Sequence, residues 1–320
     1  VGCLSSANTP SFPGLDQFKG LQLHTSQWPK EAVDLKGLRV GVMGTGSSGI
    51  QVIPQLAKQA RELVVFQRTP NFSIPAWNKP LPVSEQDAWK KDYQAHRARA
   101  RETRSGILYQ YSQRSTFDVD ESERQAEYER RWLRGGANFT HAFNDVFTNR
   151  EANELLAEYV RQRIRQTVQN PTVAELLTPR DHPIGTKRIC VDTDYYTTYN
   201  QPHVVLHDLR AAPIQRFTAT GVQTPQGDYK LDAIVFATGF DAMTGALREI
   251  DIRGRGGVSL SDQWSNGPGT YLGLMVAGFP NLFLITGPGS PSVKSNVILS
   301  IEQHVDWIAR CLSDMRQAGQ

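Results

Sequence analysis

Runs of apolar residues near the start of the chain predict a strand, a turn, a helix and a second strand. Residues 38–43 are mostly β-branched or aliphatic, which is typical of a short buried strand, and a glycine-rich turn follows directly. A helix is expected through residues 51–58, and residues 63–66 form the second apolar run. This order of elements predicts a β-turn-α-β unit within an α/β fold.

The turn carries three glycines, spaced as Gly44-x-Gly46-x-x-Gly49. Glycines at this spacing let a pyrophosphate approach the backbone, and the N-terminus of the following helix favours the anion. The spacing alone is a weak signal because flexible turns reproduce it, but here the flanking strand and helix provide the required context. We therefore predict a Rossmann-like dinucleotide-binding domain. The residues expected to line the coenzyme are Gly44, Thr45, Gly46, Ser47, Ser48, Gly49, Ile50 and Gln51.

The end of the second strand distinguishes between the two nicotinamide coenzymes. NAD-dependent enzymes tend to place Asp or Glu there for the ribose 2′-hydroxyl, whereas this chain has Arg68 and Thr69. A guanidinium and a hydroxyl suit a 2′-phosphate, which a carboxylate would repel. A solvated strand-end cation is the simpler explanation of Arg68, but its position after the glycine motif favours NADPH.

Residues 84–180 are rich in Arg, Glu, Gln and Ala, with apolar residues at helical spacing. The closely spaced arginines of residues 97–104 could indicate a nucleic-acid surface, but the glutamates of residues 121–129 balance them. A solvated helical face explains this pattern better. We predict an all-helical insertion in the dinucleotide-binding domain.

Beyond the insertion, the pattern returns to short strands separated by glycine and proline turns. Residues 231–240 predict a buried strand that ends in Ala-Thr-Gly, and residues 278–289 predict a further strand with a glycine turn. A helix is expected from about Asn296 to Met315. Its apolar side is expected to hold Val297, Ile301, Val305, Trp307 and Ile308.

The composition excludes several classes of protein. The chain has 320 residues, of which 39% are hydrophobic and 21% are charged, and its net charge of +3 argues against a nucleic-acid or membrane partner. Three separated cysteines form no Cys-x-x-Cys pair, and the histidines form no metal-binding pattern, so we expect a cytoplasmic protein without a metal. We also expect no membrane span and no signal peptide. Because the chain begins at Val1, we expect it to be a segment of a longer protein.

A second motif lies ahead of the glycine turn and has the form Phe18-x-Gly20-x-x-x-His24-x-x-x-Trp28-Pro29. Followed by Gly-x-Gly-x-x-Gly, it resembles the fingerprint of type I Baeyer–Villiger monooxygenases, and every fixed position matches. Related flavin-dependent N- and S-oxygenases usually carry Tyr or another residue in place of Trp28. The resemblance runs over nearly the whole chain and favours the phenylacetone and steroid monooxygenase group.

The resemblance implies a reaction and two cofactors. NADPH would reduce FAD, and one oxygen atom from O₂ would enter a ketone to give an ester or lactone. In this family Lys187 would assist Arg68 at the 2′-phosphate and Arg188 would act at the chemistry, although surface charge explains the pair equally well from the residues alone. Arg188 and His24 are thus the catalytic candidates. His24 is expected to couple NADPH position to domain movement and not to transfer a proton.

The resemblance also places residues at the flavin and at the ketone. FAD neighbours are expected at Asn296 and Val297, further cofactor contacts at Thr238 and Gly239 of the Ala-Thr-Gly segment, and substrate contacts at Ser292, Val293 and Lys294. The family's first FAD-binding segment and its C-terminal section are expected outside this chain. The predicted division is a connector (1–37), an NADPH-binding domain (38–83 and 181–240), a helical insertion (84–180) and part of an FAD domain (241–320). An S- or N-oxygenase and a non-catalytic NADPH-binding module remain as alternatives, and the oligomeric state is left open.

Overall fold

A computed structural model describes residues 4–290 and 295–319 of the chain. The chain forms two compact units, which are described separately. The sheet unit comprises Asn8–Lys79 and Tyr109–Gly239, and the helix unit comprises Val1–Ala7, Pro80–Leu108 and Phe240–Gln320. The predicted helical insertion is therefore shared between the two units, and the predicted domain boundaries stay a prediction.

Strands and helices alternate before residue 76 and again after residue 189, and the chain between these positions contains helices but no strand. The elements are β1 (Leu21–His24), β2 (Arg39–Met43), α1 (Ser47–Ala57), β3 (Glu62–Gln67), β4 (Ser73–Pro75), α2 (Val83–Lys91), α3 (Tyr93–Arg101), α4 (Glu121–Arg134), α5 (Arg150–Thr167), α6 (Pro171–Leu177), β5 (Cys190–Asp192), α7 (Tyr195–Thr198), β6 (Val204–Asp208), β7 (Arg216–Thr218), β8 (Gly221–Thr224), β9 (Gly227–Lys230), β10 (Ala233–Phe236), α8 (Gly245–Arg248), α9 (Leu260–Gln263) and α10 (Val297–Gln317).

The main sheet of the sheet unit has five strands in the order β1-β10-β2-β3-β6, all of them parallel. Val42 of β2, Val65 of β3 and Val235 of β10 are fully buried on one face of the sheet, and Phe66 and Ile234 are fully buried on the other. Burial on both faces is what a parallel sheet requires and explains why these strands are near-continuous apolar runs. The predicted α/β fold is confirmed.

The first helix differs from its prediction at one end. It was expected from residue 51, but α1 begins at Ser47 and includes Ser48 and Gly49 in its first turn. The prediction kept all three glycines of the motif in the turn, whereas the positive φ at Gly44 turns the chain early enough for the helix to begin at Ser47. The glycine motif is therefore part turn and part helix.

The other strands form two smaller sheets. Strands β4 and β5 form a parallel pair, and β7, β8 and β9 form an antiparallel sheet. Between β4 and β5 the chain is helical or irregular and has no strand, as predicted for residues 84–180. Asn149 and Asn170 cap α5 and α6, since each side chain accepts hydrogen bonds from two amides of the first turn.

The helix unit has a small core and one long helix. Leu260, Trp264, Val276, Phe279 and Leu284 pack together in the core. The strand predicted within residues 278–289 is wrong, because Phe283 makes only an isolated bridge to Met275 and no neighbouring strand of the described residues extends the ladder.

Helix α10 runs from Val297 to Gln317, close to the predicted range of about Asn296 to Met315, but the residues predicted for its apolar side are only half-buried or exposed. His304 is its only buried residue, and Val305 is 45% exposed. Among the described residues, no helix is both long enough and apolar enough to cross a membrane.

Candidate functional site

The predicted coenzyme residues of the sheet unit lie at one edge of the parallel sheet. Because all five strands run in the same direction, their carboxyl ends share that edge. His24 ends β1, Gly44 follows β2, Arg68 follows β3 and Thr238 follows β10. Arg210 follows β6 and was not predicted. We call this edge, with the residues that follow the strands, the carboxyl edge.

The three glycines of the motif have different physical roles. Gly44 has φ +106°, and a Cβ there would lie 2.6 Å from the carbonyl oxygen of Ala237. A Cβ at Gly49 would collide with the carbonyl group of Gly44, so this glycine allows the helix to approach the turn. A Cβ at Gly46 would meet no atom within 4 Å. Two of the glycines are thus required by packing, and the third faces open space.

The start of α1 is suited to an anion. Gly46 is the N-cap and provides no side-chain hydrogen bond, so no side chain caps the first amides of the helix. No acidic residue lies in the first turn. Uncapped amides and the positive end of the helix dipole stabilise a bound phosphate. The open face at Gly46 and this helix start together fit the pyrophosphate of a dinucleotide.

The end of β3 is joined to the glycine turn, because the Thr45 hydroxyl donates to the Thr69 carbonyl oxygen at 2.9 Å. Arg68 is exposed, and its side chain has no hydrogen bond or ion pair within the described residues. Gln67 is buried at 2% exposure and donates to the Leu176 carbonyl at 2.7 Å, while its Oε1 has no partner among the described residues. An unpaired cation beside an open turn is an arrangement that a bound anion would complete.

Arg210 adds a cation that sequence reasoning missed. Its guanidinium donates to the Thr69 hydroxyl at 3.1 Å and forms an ion pair with Asp181. The hydrogen bond from Arg210, together with a contact to His182, holds the pKa of the Asp181 carboxyl well below its usual range. The signal that could have found Arg210 is its place just after a predicted strand, which is the argument that identified Arg68.

The turn that carries Lys187 and Arg188 is held by the helical segment. Asn153 of α5 is buried and donates to the Ile184 carbonyl oxygen at 2.8 Å. Gly185 has φ +88° and packs against the Phe147 ring, where a Cβ would collide. Both cations of the turn are exposed. The insertion therefore fixes the backbone of this turn and leaves its charged side chains accessible.

Arg188 lies close enough to Tyr109 to affect its titration. Burial and the neighbouring Tyr111 raise the pKa of Tyr109, and the Arg188 charge acts against that rise. Arg188 also acts in the same direction on the buried Cys190 thiol, whose pKa is raised by burial. Arg188 lies two residues before Cys190, which begins β5, and its charge acts on both the Tyr109 hydroxyl and the Cys190 thiol.

His24 is buried and uses both ring nitrogens locally. Its Nδ1 accepts from the Ser26 amide at 3.1 Å, and its Nε2 lies 3.5 Å from the Thr238 hydroxyl, which itself donates to the Asn8 carbonyl. The amide contact makes Nδ1 the acceptor, so the ring hydrogen is assigned to Nε2. This arrangement ties the end of β1 to the Ala-Thr-Gly segment after β10, which suits a positioning residue.

The fingerprint around His24 divides into structural and exposed parts. Phe18 is buried against Phe217, and a Cβ at Gly20 would lie 2.5 Å from the Asp232 carbonyl oxygen. These two residues therefore seat β1 beside β10. Trp28 is 38% exposed and follows the strand. Only His24 of this set reaches the carboxyl edge with its side chain.

Of the other predicted site residues, Gly239 belongs to the sheet unit, and Asn296 and Val297 belong to the helix unit. Asn296 caps α10 by accepting from the Ile298 amide at 3.1 Å, and its own amide donates to the Ser105 carbonyl at 2.7 Å. Val297 is the first residue of the helix. The predicted substrate residues Ser292, Val293 and Lys294 lie outside the described residues. No group of His, Cys, Asp and Glu in the described chain has the arrangement of a metal site.

Comparison with known proteins agrees with the motif. A family profile described as flavin-binding monooxygenase-like matches residues 3–79. A 2-oxo-Δ³-4,5,5-trimethylcyclopentenylacetyl-CoA monooxygenase of Pseudomonas putida is 43% identical over all of this chain and 60% of its own length. A Baeyer–Villiger monooxygenase of Pseudooceanicola batsensis is 39% identical over 100% of this chain and 58% of its own length. A phenazine N-monooxygenase of Lysobacter antibioticus is 40% identical over 98% of this chain and 57% of its own length.

Solved structures show the same fold. An oxidised steroid monooxygenase bound to NADP matches with a TM-score of 0.92 and 50% identity, over 99% of this chain and 61% of its own. The chain spans about 60% of the length of the curated relatives it matches. The resemblance predicted from the fingerprint is confirmed by these matches.

Proposed function

We propose that this chain, which is homologous to Baeyer–Villiger monooxygenases over about 60% of their length, binds NADPH for a flavin-dependent oxygenation. The whole protein would insert one atom of O₂ into a ketone to give an ester or lactone. The observation that carries the proposal is the carboxyl edge, where an uncapped helix start and an open Gly46 lie beside the unpaired Arg68. A solved relative of the same fold is bound to NADP.

The preference for NADPH over NADH is argued from charge. No acidic residue stands directly after β3, where the ribose is expected, and Arg68 and Lys187 are both exposed. The nearby carboxylates are engaged, since Asp181 pairs with Arg210 and Asp208 accepts from the Arg210 amide at 2.9 Å. Two cations without a partner among the described residues, together with an Asp181 charge that is offset by Arg210, favour a 2′-phosphate over a 2′-hydroxyl.

FAD, when bound, would accept the electrons of NADPH and activate O₂. Arg188 is the residue of this chain that we assign to charge stabilisation during oxygen insertion. A guanidinium keeps its proton at any working pH, and the turn that carries it is anchored by Asn153 and Gly185. Asn296 and Val297 remain the proposed flavin neighbours, Thr238 and Gly239 remain proposed cofactor contacts, and residues 292–294 remain the proposed ketone contacts. The protein is expected in the cytoplasm with a small-molecule substrate.

A second candidate is oxygenation of a heteroatom. The 40% identical relative from Lysobacter antibioticus acts as a phenazine N-monooxygenase, although it covers the same part of the chain as the ketone-type relatives. Trp28 and Pro29 favour the ketone reaction because they complete the Baeyer–Villiger fingerprint. The third possibility, a module that binds NADPH without catalysis, requires that the purified protein hold no flavin.

One experiment separates these possibilities. The purified full-length protein is examined for bound-flavin absorption and then supplied with NADPH, O₂ and either a cyclic ketone, a thioether or a phenazine, with products identified by mass spectrometry. We expect flavin absorption and a lactone or ester from the ketone. N- or S-oxide as the main product would support the second candidate. Tight NADPH binding without flavin or product would support the binding module.

A further inference from the structure

Strand β6 brings an additional cation to the site that Arg68 and Lys187 are expected to form. Strands β3 and β6 are parallel neighbours with Gln67 beside Asp208, and the Leu209 amide donates to the Gln67 carbonyl oxygen at 2.8 Å. This hydrogen bond extends the ladder one residue beyond the end of β6. It places Arg210 where its Nη2 donates to the Thr69 hydroxyl at 3.1 Å.

The second contact of Arg210 is with an acid that would otherwise oppose an anion. Asp181 is paired with Arg210 and also contacts His182 Nδ1 at 2.6 Å. Its carboxyl group stays ionised at neutral pH because these contacts stabilise the charged form. Asp181 begins the segment that leads to Lys187, so Arg210 also ties that segment to the end of β6.

We propose that Arg210 is a third cationic ligand of the coenzyme's 2′-phosphate, beside Arg68 and Lys187, and that it strengthens discrimination against NADH. The inference rests on the proposed NADPH-binding function. A phosphate that accepts a hydrogen bond from the Thr69 hydroxyl would lie within reach of the Arg210 guanidinium, which already donates to this hydroxyl. A guanidinium has five N–H donors in a fork, so Arg210 can hold Asp181 and a phosphate oxygen together.

A simpler explanation is that Arg210 only neutralises Asp181 and anchors the turn. In that case its removal would weaken binding because it exposes an ionised carboxylate, and the loss would disappear once Asp181 is made neutral. If Arg210 instead binds the phosphate directly, its removal should weaken binding even when residue 181 carries no charge. The two explanations therefore differ in the double variant Asp181→Asn/Arg210→Ala.

The test compares 2′,5′-ADP with 5′-ADP as probes, by isothermal titration calorimetry on the purified protein. Arg210→Ala should weaken 2′,5′-ADP binding about tenfold or more, the loss typical of one charge-assisted hydrogen bond. Binding of 5′-ADP should stay within about twofold, because this probe lacks the 2′-phosphate. Arg130→Ala is the matched control, since Arg130 is 54% exposed and paired with Glu127, much as Arg210 is 50% exposed and paired with Asp181.

The outcomes separate cleanly. A tenfold loss that persists in the Asp181→Asn background supports the proposal, whereas a loss that vanishes there, or falls equally on both probes, overturns it. If Arg68→Ala weakens 2′,5′-ADP and Arg210→Ala does not, this inference fails and the NADPH assignment stands. If the unaltered protein binds both probes equally, the NADPH assignment itself fails. Arg210→Gln, which keeps the stem and an N–H donor, serves if the alanine variant does not fold.

Discussion

The carboxyl edge and helix α10 hold their residues in different ways. The strands that lead to the edge are buried on both faces, as the consecutive residues Val65 and Phe66 of β3 show, and the residues after them project from a fixed frame. Helix α10 has 21 residues, of which His304 alone is buried. Substitutions of the exposed residues at the edge should therefore change binding without changing the fold. In α10 a single buried residue should affect stability and leave coenzyme binding alone.

The largest effect is expected at Arg188, whose backbone the helical segment anchors. Arg188→Ala should lower oxygen insertion by on the order of 10²–10³, the loss found when one oxyanion-stabilising donor is removed. Arg188→Lys keeps the charge but loses the planar fork and should restore activity only in part. The rate of flavin reduction and the yield of ester per NADPH consumed are measured separately. Unchanged ester yield in the alanine variant would leave Arg188 as an ordinary surface cation.

The next effect separates two glycines of the edge. Gly46→Val should weaken NADPH binding on the order of a hundredfold, because its side chain would occupy the open face of the turn. Its thermal unfolding should remain cooperative and close to that of the unaltered protein. Gly49→Val is the contrasting variant, since its Cβ meets the Gly44 carbonyl and the fold itself should suffer. Coenzyme titration by fluorescence, paired with thermal melts, checks both.

A smaller effect is expected at Arg68. Arg68→Ala removes an exposed cation that has no partner within the described chain, so folding should be unaffected. The NADPH dissociation constant should rise about ten- to a hundredfold, while NADH binding changes little. Because the contact is electrostatic, the loss should shrink as salt is raised. Equal NADPH affinity in both proteins would contradict the assignment.

The smallest effect concerns His304 and tests the other half of the comparison. Its Nδ1 accepts from the Thr286 amide at 3.1 Å, its Nε2 lies 2.9 Å from the Ser290 hydroxyl, and burial lowers its pKa. A lowered pKa means that the unfolded chain binds the proton more readily. Above the ordinary histidine pKa of about 6.5 the residue has no pH-dependent effect, and stability is lost as pH falls below it.

The measurement is the free energy of unfolding from urea titrations between about pH 7.5 and pH 5. The unaltered protein should lose stability more steeply on acidification than His304→Gln, by at most about 1.4 kcal/mol per pH unit. NADPH affinity should be the same in both proteins at neutral pH. Parallel stability curves for the two proteins would show that His304 does not titrate as its burial indicates.

The amino-acid sequence alone was sufficient to predict the α/β unit, the glycine turn and the exposed cation Arg68. Each depends on local physics, since a buried parallel strand must be apolar on both faces and a tight turn before a helix requires glycine. The same local view misplaced the start of α1 and predicted a strand within residues 278–289 that has no ladder partner. The hydrophobicity of a segment does not determine whether another strand will lie beside it and pair with it.

The local sequence thus determined which residues are able to bind a dinucleotide, and the tertiary structure decided which of them lie together. Arg210 reaches the hydroxyl of a residue 141 positions earlier, and Asn153 holds a turn 31 positions later. Both contacts follow from the pairing of β3 with β6 and from the packing of α5 on the turn. A long helical segment separates β3 from β6 in the chain, and only the parallel register of the sheet brings their ends to one edge.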